Sequence, residues 1–140
     1  APSDPALTTA RWIGEALEIP VKVVDSLTNL DHGLWQGLCV DEIKRKHPKV
    51  FKQWKETPES VCPPEGETGE EAFARATKAL RKPIKRKDNF AIVSSEPIAT
   101  LLECVLRRES PKLSSPRDRN GGHLVNLIEV RKPEPAATAE

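Results

Sequence analysis

Apolar residues Leu7, Ala10, Ile13, Ala16 and Leu17 recur at intervals of three and four, which predicts a helix closed off by Pro20. Asp4 suits the start of that helix, because Pro5 can take its first position without losing an internal hydrogen bond. Val21-Lys22-Val23-Val24 is short and β-branched and reads as a strand. A basic helix begins at Asp41 and breaks at Pro48, and Val50, Phe51 and Trp54 share one face of the next turn or helix. Cys62–Gly66 is a loop. Thr68 and Glu71 have capping-box spacing and open a helix whose inner stripe is Ala72, Phe73, Ala76 and Leu80. Phe90–Val93 reads as a buried strand, and a helix from about Pro97 to Arg108 presents Ile98, Leu101, Leu102, Val105 and Leu106. Ser110–Gly122 is a polar loop before a last strand, Leu124–Val130.

Strands alternating with helices predict an α/β fold, a three-layer α/β/α sandwich around a mostly parallel sheet. One domain would span residues 1–131, and the Pro- and Ala-rich residues 132–140 read as a disordered tail. In such sheets ligands gather where strands end and helices begin. The junctions to watch are therefore Val24–Gly37, Val93–Pro97 and the loop before Pro5.

Composition narrows the function classes. At 140 residues and 37% hydrophobic content, the chain suits one domain with a modest core. Its 22 basic and 21 acidic side chains leave a net charge of +1, which argues against nucleic acid or an anionic membrane as a partner. No apolar run spans a bilayer and the first residues are no signal peptide, so a cytoplasmic location is expected. Cys39, Cys62 and Cys104 are odd in number and lack metal-ligand spacing, so they read as reduced thiols with no metal and no cofactor.

Four segments, taken in order, resemble one family. Ala1-Pro2-Ser3-Asp4-Pro5-Ala6-Leu7-Thr8-Thr9-Ala10 is similar to Ser-Pro-Leu-x-Arg-Ala-x-Gln-Thr-Ala, and Leu27–Gly37 to Leu-x-Glu-x-x-x-Gly-x-Trp-Glu-Gly. Pro64-Glu65-Gly66-Glu67-Thr68 resembles Pro-x-Gly-Glu-Ser, and Val93-Ser94-Ser95-Glu96-Pro97 sits where that pattern has Val-Ser-His-Gly-Gly. These are segments of the histidine phosphatase superfamily, the phosphoglycerate mutase-like proteins. The resemblance implies that family's sandwich, with its first strand and Arg-His-Gly nucleophile segment absent from this chain.

The family's chemistry uses a histidine nucleophile, a second histidine with arginines around the phosphoryl oxygens, and a carboxylic acid that protonates the leaving group. The resemblance places Pro5 at the arginine, Asn29 at the proton donor and Ser95 at the second histidine. An amide cannot deliver a proton at neutral pH. Glu96 replaces a glycine and brings negative charge to the phosphate position. Ser3, His32, Gly33 and Glu96 form what remains of the pocket. Losing members of a cooperating catalytic set costs roughly 10⁴- to 10⁶-fold in rate.

Blander roles compete for the remaining candidates. His32 stands where an aromatic is common, His47 reads as a surface residue, and His123 as a helper of Gly121 and Gly122. Ser95 reads as an amino-terminal cap for the helix at Pro97. Arg11 suits a helix surface, and Trp12, Trp35 and Trp54 suit core or edge packing. The cluster Lys82, Lys85, Arg86 and Lys87 fits either a solvated helix end or an acidic partner. A missing central strand would expose an apolar face. Either a preceding segment of a longer chain or a protein partner is expected to complete the sheet, with a homo- or heterodimer as one form. The expected function is a catalytically inactive domain serving as a structural or protein-interaction module. The alternative is a phosphohydrolase whose nucleophilic histidine lies in sequence outside these residues.

Overall fold

The computed structural model describes residues 1–86, 89–113 and 125–130. Among these residues five α-helices carry the architecture: α1 (Ala6–Ala16), α2 (Val40–Lys46), α3 (Pro48–Glu56), α4 (Gly69–Lys85) and α5 (Ile98–Arg107). Three single 3₁₀ turns, Asp25–Leu27, Gly33–Trp35 and Pro58–Ser60, lie between them.

Among the described residues there is no strand, which overturns the expected three-layer sandwich and its parallel sheet. The segments expected as strands lack a ladder. In 21–24 the Val24 carbonyl accepts from Leu27 N at 3.0 Å, a turn contact. In 90–93 the Val93 carbonyl accepts from the Ala1 amine at 2.8 Å. β-Branched residues favour extension, but a sheet requires two extended segments to exchange backbone bonds. The described part of the last expected strand, 125–130, also has no regular structure. Residues 114–122 of the expected loop, His123, Leu124 of the last expected strand and the expected tail 132–140 lie outside the described residues.

The helices follow their local signals closely. Thr68 Oγ1 accepts from Glu71 N at 3.1 Å while the Glu71 carboxylate accepts from Thr68 N at 2.8 Å, so both halves of the capping box form. Pro48 begins α3 instead of only ending α2, since its missing N–H costs nothing at a first helical position. α1 ends where Glu18 takes a left-handed φ of +53° and Ile19 N returns to Gly14 O at 3.0 Å. Gly14 is buried there, and a Cβ would strike the Val21 side chain.

The main core joins α4 to α5. Ala72, Ala76 and Leu80 pack with Ile98, Leu101, Leu102, Val105 and Leu27. Ile98 and Leu101 are wholly enclosed. A smaller core holds Trp35, Ile43 and Val61, with Val50 and Trp54 against them. Trp12 departs from the expected packing role: it is 69% exposed, and Leu17 is 63% exposed. Ile19, Val21, Val23 and Phe90 are also exposed, so α1 and both extended segments leave apolar surface uncovered.

Candidate functional site

The site is built where the turn after Leu27 meets the start of α5. Asn29 Nδ2 donates to Glu96 O at 2.8 Å and to Ser95 Oγ at 3.4 Å. Its Oδ1 accepts from Leu30 N at 2.9 Å and from Ile98 N at 3.1 Å. The structure thus brings together Asn29, Ser95 and Glu96, three positions that the sequence singled out. An amide is the group this geometry demands, because one end faces donors and the other faces a carbonyl acceptor.

Ser95 does not cap α5 with its side chain, as had been expected; the cap position is Pro97 and no side-chain cap bond forms there. The backbone carbonyl of Ser95 accepts from Ala99 N at 3.1 Å. Glu96 does the side-chain work. Its carboxylate accepts from Thr100 Oγ1 at 2.7 Å and from Thr100 N at 3.3 Å. The negative charge expected at the phosphate position is therefore spent on the first turn of the helix, where the dipole favours it.

The same device stands at α1. Asp4 Oδ1 accepts from Thr8 Oγ1 at 2.6 Å and Thr8 N at 3.2 Å. The bonds from the Thr8 hydroxyl and amide hold its carboxyl below the usual aspartate value. Pro5 is exposed, and its carbonyl accepts from Thr9 N at 3.0 Å and Thr9 Oγ1 at 2.9 Å. Exposed Ser3 contributes its carbonyl to Leu7 N at 3.1 Å. Both helix starts read Ser-acid-Pro-x-x-Thr, a repetition visible in the sequence.

His32 and Gly33 serve a different junction. The turn at 31–34 is crossed by 64–67: Leu34 N donates to Pro64 O at 2.9 Å and Glu67 N to Asp31 O at 3.0 Å. Gly33 has φ +48°, and a Cβ there would collide with the Pro64 carbonyl. His32 lines a cavity of about 20 Å³ with Leu30, Trp35, Trp54, Val61 and Glu67. That space admits a water molecule and no substrate. Trp35 stacks at tilted angles on Trp54 and His47, with centroids 5.8 and 6.2 Å apart.

Sequence reasoning missed Arg75. Its Nε and Nη2 grip both oxygens of Glu67 at 2.9 and 2.6 Å. Nη1 donates to the Ser26 and Thr28 carbonyls at 2.7 and 2.8 Å, and Nη2 to the Asn29 carbonyl at 3.1 Å. All five guanidinium hydrogens are used. Glu67 also accepts from Asp31 N at 3.0 Å. Carbonyl partners have no side-chain signature, so only the pairing of Glu67 with an arginine eight residues later hinted at this anchor.

Among the described residues, no group of histidine, cysteine and carboxylate side chains is arranged to hold a metal ion. No helix there is long and apolar enough to cross a membrane. The site fixes backbone at a helix start.

The sequence model of the histidine phosphatase superfamily (branch 1) matches residues 2–133. Phosphoserine phosphatase 1 of Hydrogenobacter thermophilus is 34% identical over 85 residues, which cover 61% of this chain and 40% of that protein. A bifunctional protein of Mycobacterium tuberculosis is 33% identical over 75 residues, covering 54% of this chain and 19% of its own length. The matched stretches thus span well under half of these relatives. With the family match running across nearly its whole length, the chain belongs to the histidine phosphatase superfamily.

Proposed function

We propose that this chain is a catalytically inactive histidine phosphatase-like module that acts through contacts with protein. The observation that carries the reading is the role of Asn29: its amide clasps Glu96 O and Ile98 N, where the family resemblance implies a proton-donating acid. Pro5 and Ser95, at the implied arginine and second histidine, supply neither charge nor a phosphoryl acceptor of that kind. Glu96 adds an anion at the start of α5. The exposed Trp12, Leu17, Ile19, Val21, Val23 and Phe90 support a polypeptide partner, either a further segment of the same protein or another chain, that covers this surface.

The test is a turnover assay of the purified chain with p-nitrophenyl phosphate and phosphoserine. No release of phosphate above an uncatalysed blank is expected. Turnover that co-purifies with the protein and disappears in His32→Ala would sink the reading. A second reading is favoured by one finding, the relative named phosphoserine phosphatase 1. In that case the chain is part of a phosphohydrolase whose nucleophilic histidine lies in sequence outside these residues, and phosphoserine is the substrate to try first.

A further inference from the structure

Lys78, Arg81, Lys82 and Lys85 occupy positions i, i+3, i+4 and i+7 of α4 and therefore share one face, about 10 Å long. All four are exposed, on the side away from Ala72, Ala76 and Leu80. None is paired with a carboxylate among the described residues, where the ion pairs are Arg75–Glu67 and Arg107–Glu103. Lys78 with Lys82, and Arg81 with Lys85, set like charges one turn apart, an arrangement that weakens a helix. The helix dipole compensates cations only in the last turn, and Lys78 and Arg81 precede it. The stripe is thus more basic than the helix itself requires.

We propose that this stripe is a docking surface for an acidic segment of a partner protein, with carboxylates at matching helical spacing. The inference rests on the protein-contact reading above and names the chemistry of one partner surface. Charge complementarity selects an acidic occupant. The stripe's limits select a short one: Glu70 and Glu71 stand in the first turn of α4, about two turns before Lys78, and repel an anion that continues that far. A single-stranded nucleic acid is held by aromatic platforms for its bases as well as by charge, whereas Phe73 packs toward the core.

The experiment titrates the full chain with a fluorescein-labelled octaglutamate peptide, followed by anisotropy at low salt. Binding is expected to weaken as salt rises and to fall about tenfold or more when Lys78→Gln, Arg81→Gln, Lys82→Gln and Lys85→Gln are combined. Glutamine keeps helix propensity, and circular dichroism checks the fold. The α3 variant Lys49→Gln, Lys52→Gln, Lys55→Gln removes similar charge elsewhere and should bind as the parent does. Amide shifts in the unmodified chain should concentrate at residues 78–85. No salt-sensitive binding, equal loss in the α3 variant, shifts centred elsewhere, or tighter binding of oligothymidylate than of octaglutamate would each overturn the proposal. Phosphatase turnover is read separately, so failure of one reading is distinguishable from failure of the other.

Discussion

Asn29 Oδ1 accepts the amide of Ile98 at 3.1 Å, so a turn 69 residues earlier in the chain satisfies a backbone donor at the start of α5. The other end of the same side chain donates to Glu96 O at 2.8 Å. The side chain therefore couples the turn to the helix through both of its polar atoms. Replacing it by alanine strands Ile98 N and frees the Glu96 carbonyl. Asn29→Ala is expected to cost about 1–3 kcal/mol, measured by urea unfolding. Asn29→Asp keeps the two acceptor bonds but turns a carboxylate oxygen, in place of the donor, toward the Glu96 carbonyl, so it should destabilise as well. Equal stability of all three proteins would show that the clasp contributes nothing.

Arg75 works from the opposite side of the turn. Its planar fork matches Glu67 and three carbonyls together, which the single ammonium of lysine cannot do. Arg75 and Glu67 are about four-fifths buried, at 22% and 20% side-chain exposure, so solvent screens the pair only partly. Arg75→Lys should cost on the order of 2 kcal/mol in the same unfolding experiment. A double-mutant cycle with Glu67→Ala should return a coupling of about 1 kcal/mol or more. Additive effects would mean that the ion pair is incidental.

These two anchors show where the sequence is informative. The Thr68–Glu71 box and the stripe through Ala72, Ala76 and Leu80 are local signals, and α4 follows them. Val21–Val24 and Phe90–Val93 carry equally clear β-branched patterns, yet a strand also depends on a neighbour distant in sequence. That dependence is invisible in either segment alone, and the described residues form no ladder. Asn29, Ser95 and Glu96 were legible as a group only through the family resemblance. Their actual bonding was not, because Asn29 and Arg75 bind backbone carbonyls and amides, which every residue possesses.

Gly33 and Gly37 separate two costs of adding a methyl group. Both have positive φ, +48° and +81°. A Cβ at Gly37 meets nothing within 4 Å, while one at Gly33 runs into the Pro64 carbonyl and the backbone of Glu65 and Gly66. Gly37→Ala should therefore lose only the conformational term, about 1–2 kcal/mol. Gly33→Ala should lose distinctly more, because Leu34 N and Pro64 O must also separate. Thermal unfolding of the two variants side by side decides the matter, and a milder effect at Gly33 would contradict the crossing of these loops.

Asp4 provides a pH-dependent element at the start of α1. Its folded carboxyl titrates below the usual aspartate value, chiefly because the Thr8 hydroxyl bonds to the charged form. A depressed pKa stabilises the folded state above the unfolded aspartate value, about 3.9, and that contribution disappears as pH falls through the folded value. The Asp4 side chain is exposed, so salt should reduce the effect. Thr8→Val removes the hydroxyl donor and leaves the amide. Carboxyl-carbon NMR titration of Asp4 should then show its pKa moving up toward the ordinary value. An unmoved Asp4 titration in Thr8→Val would place the cause of the shift elsewhere, first of all in the Thr8 amide that the variant keeps.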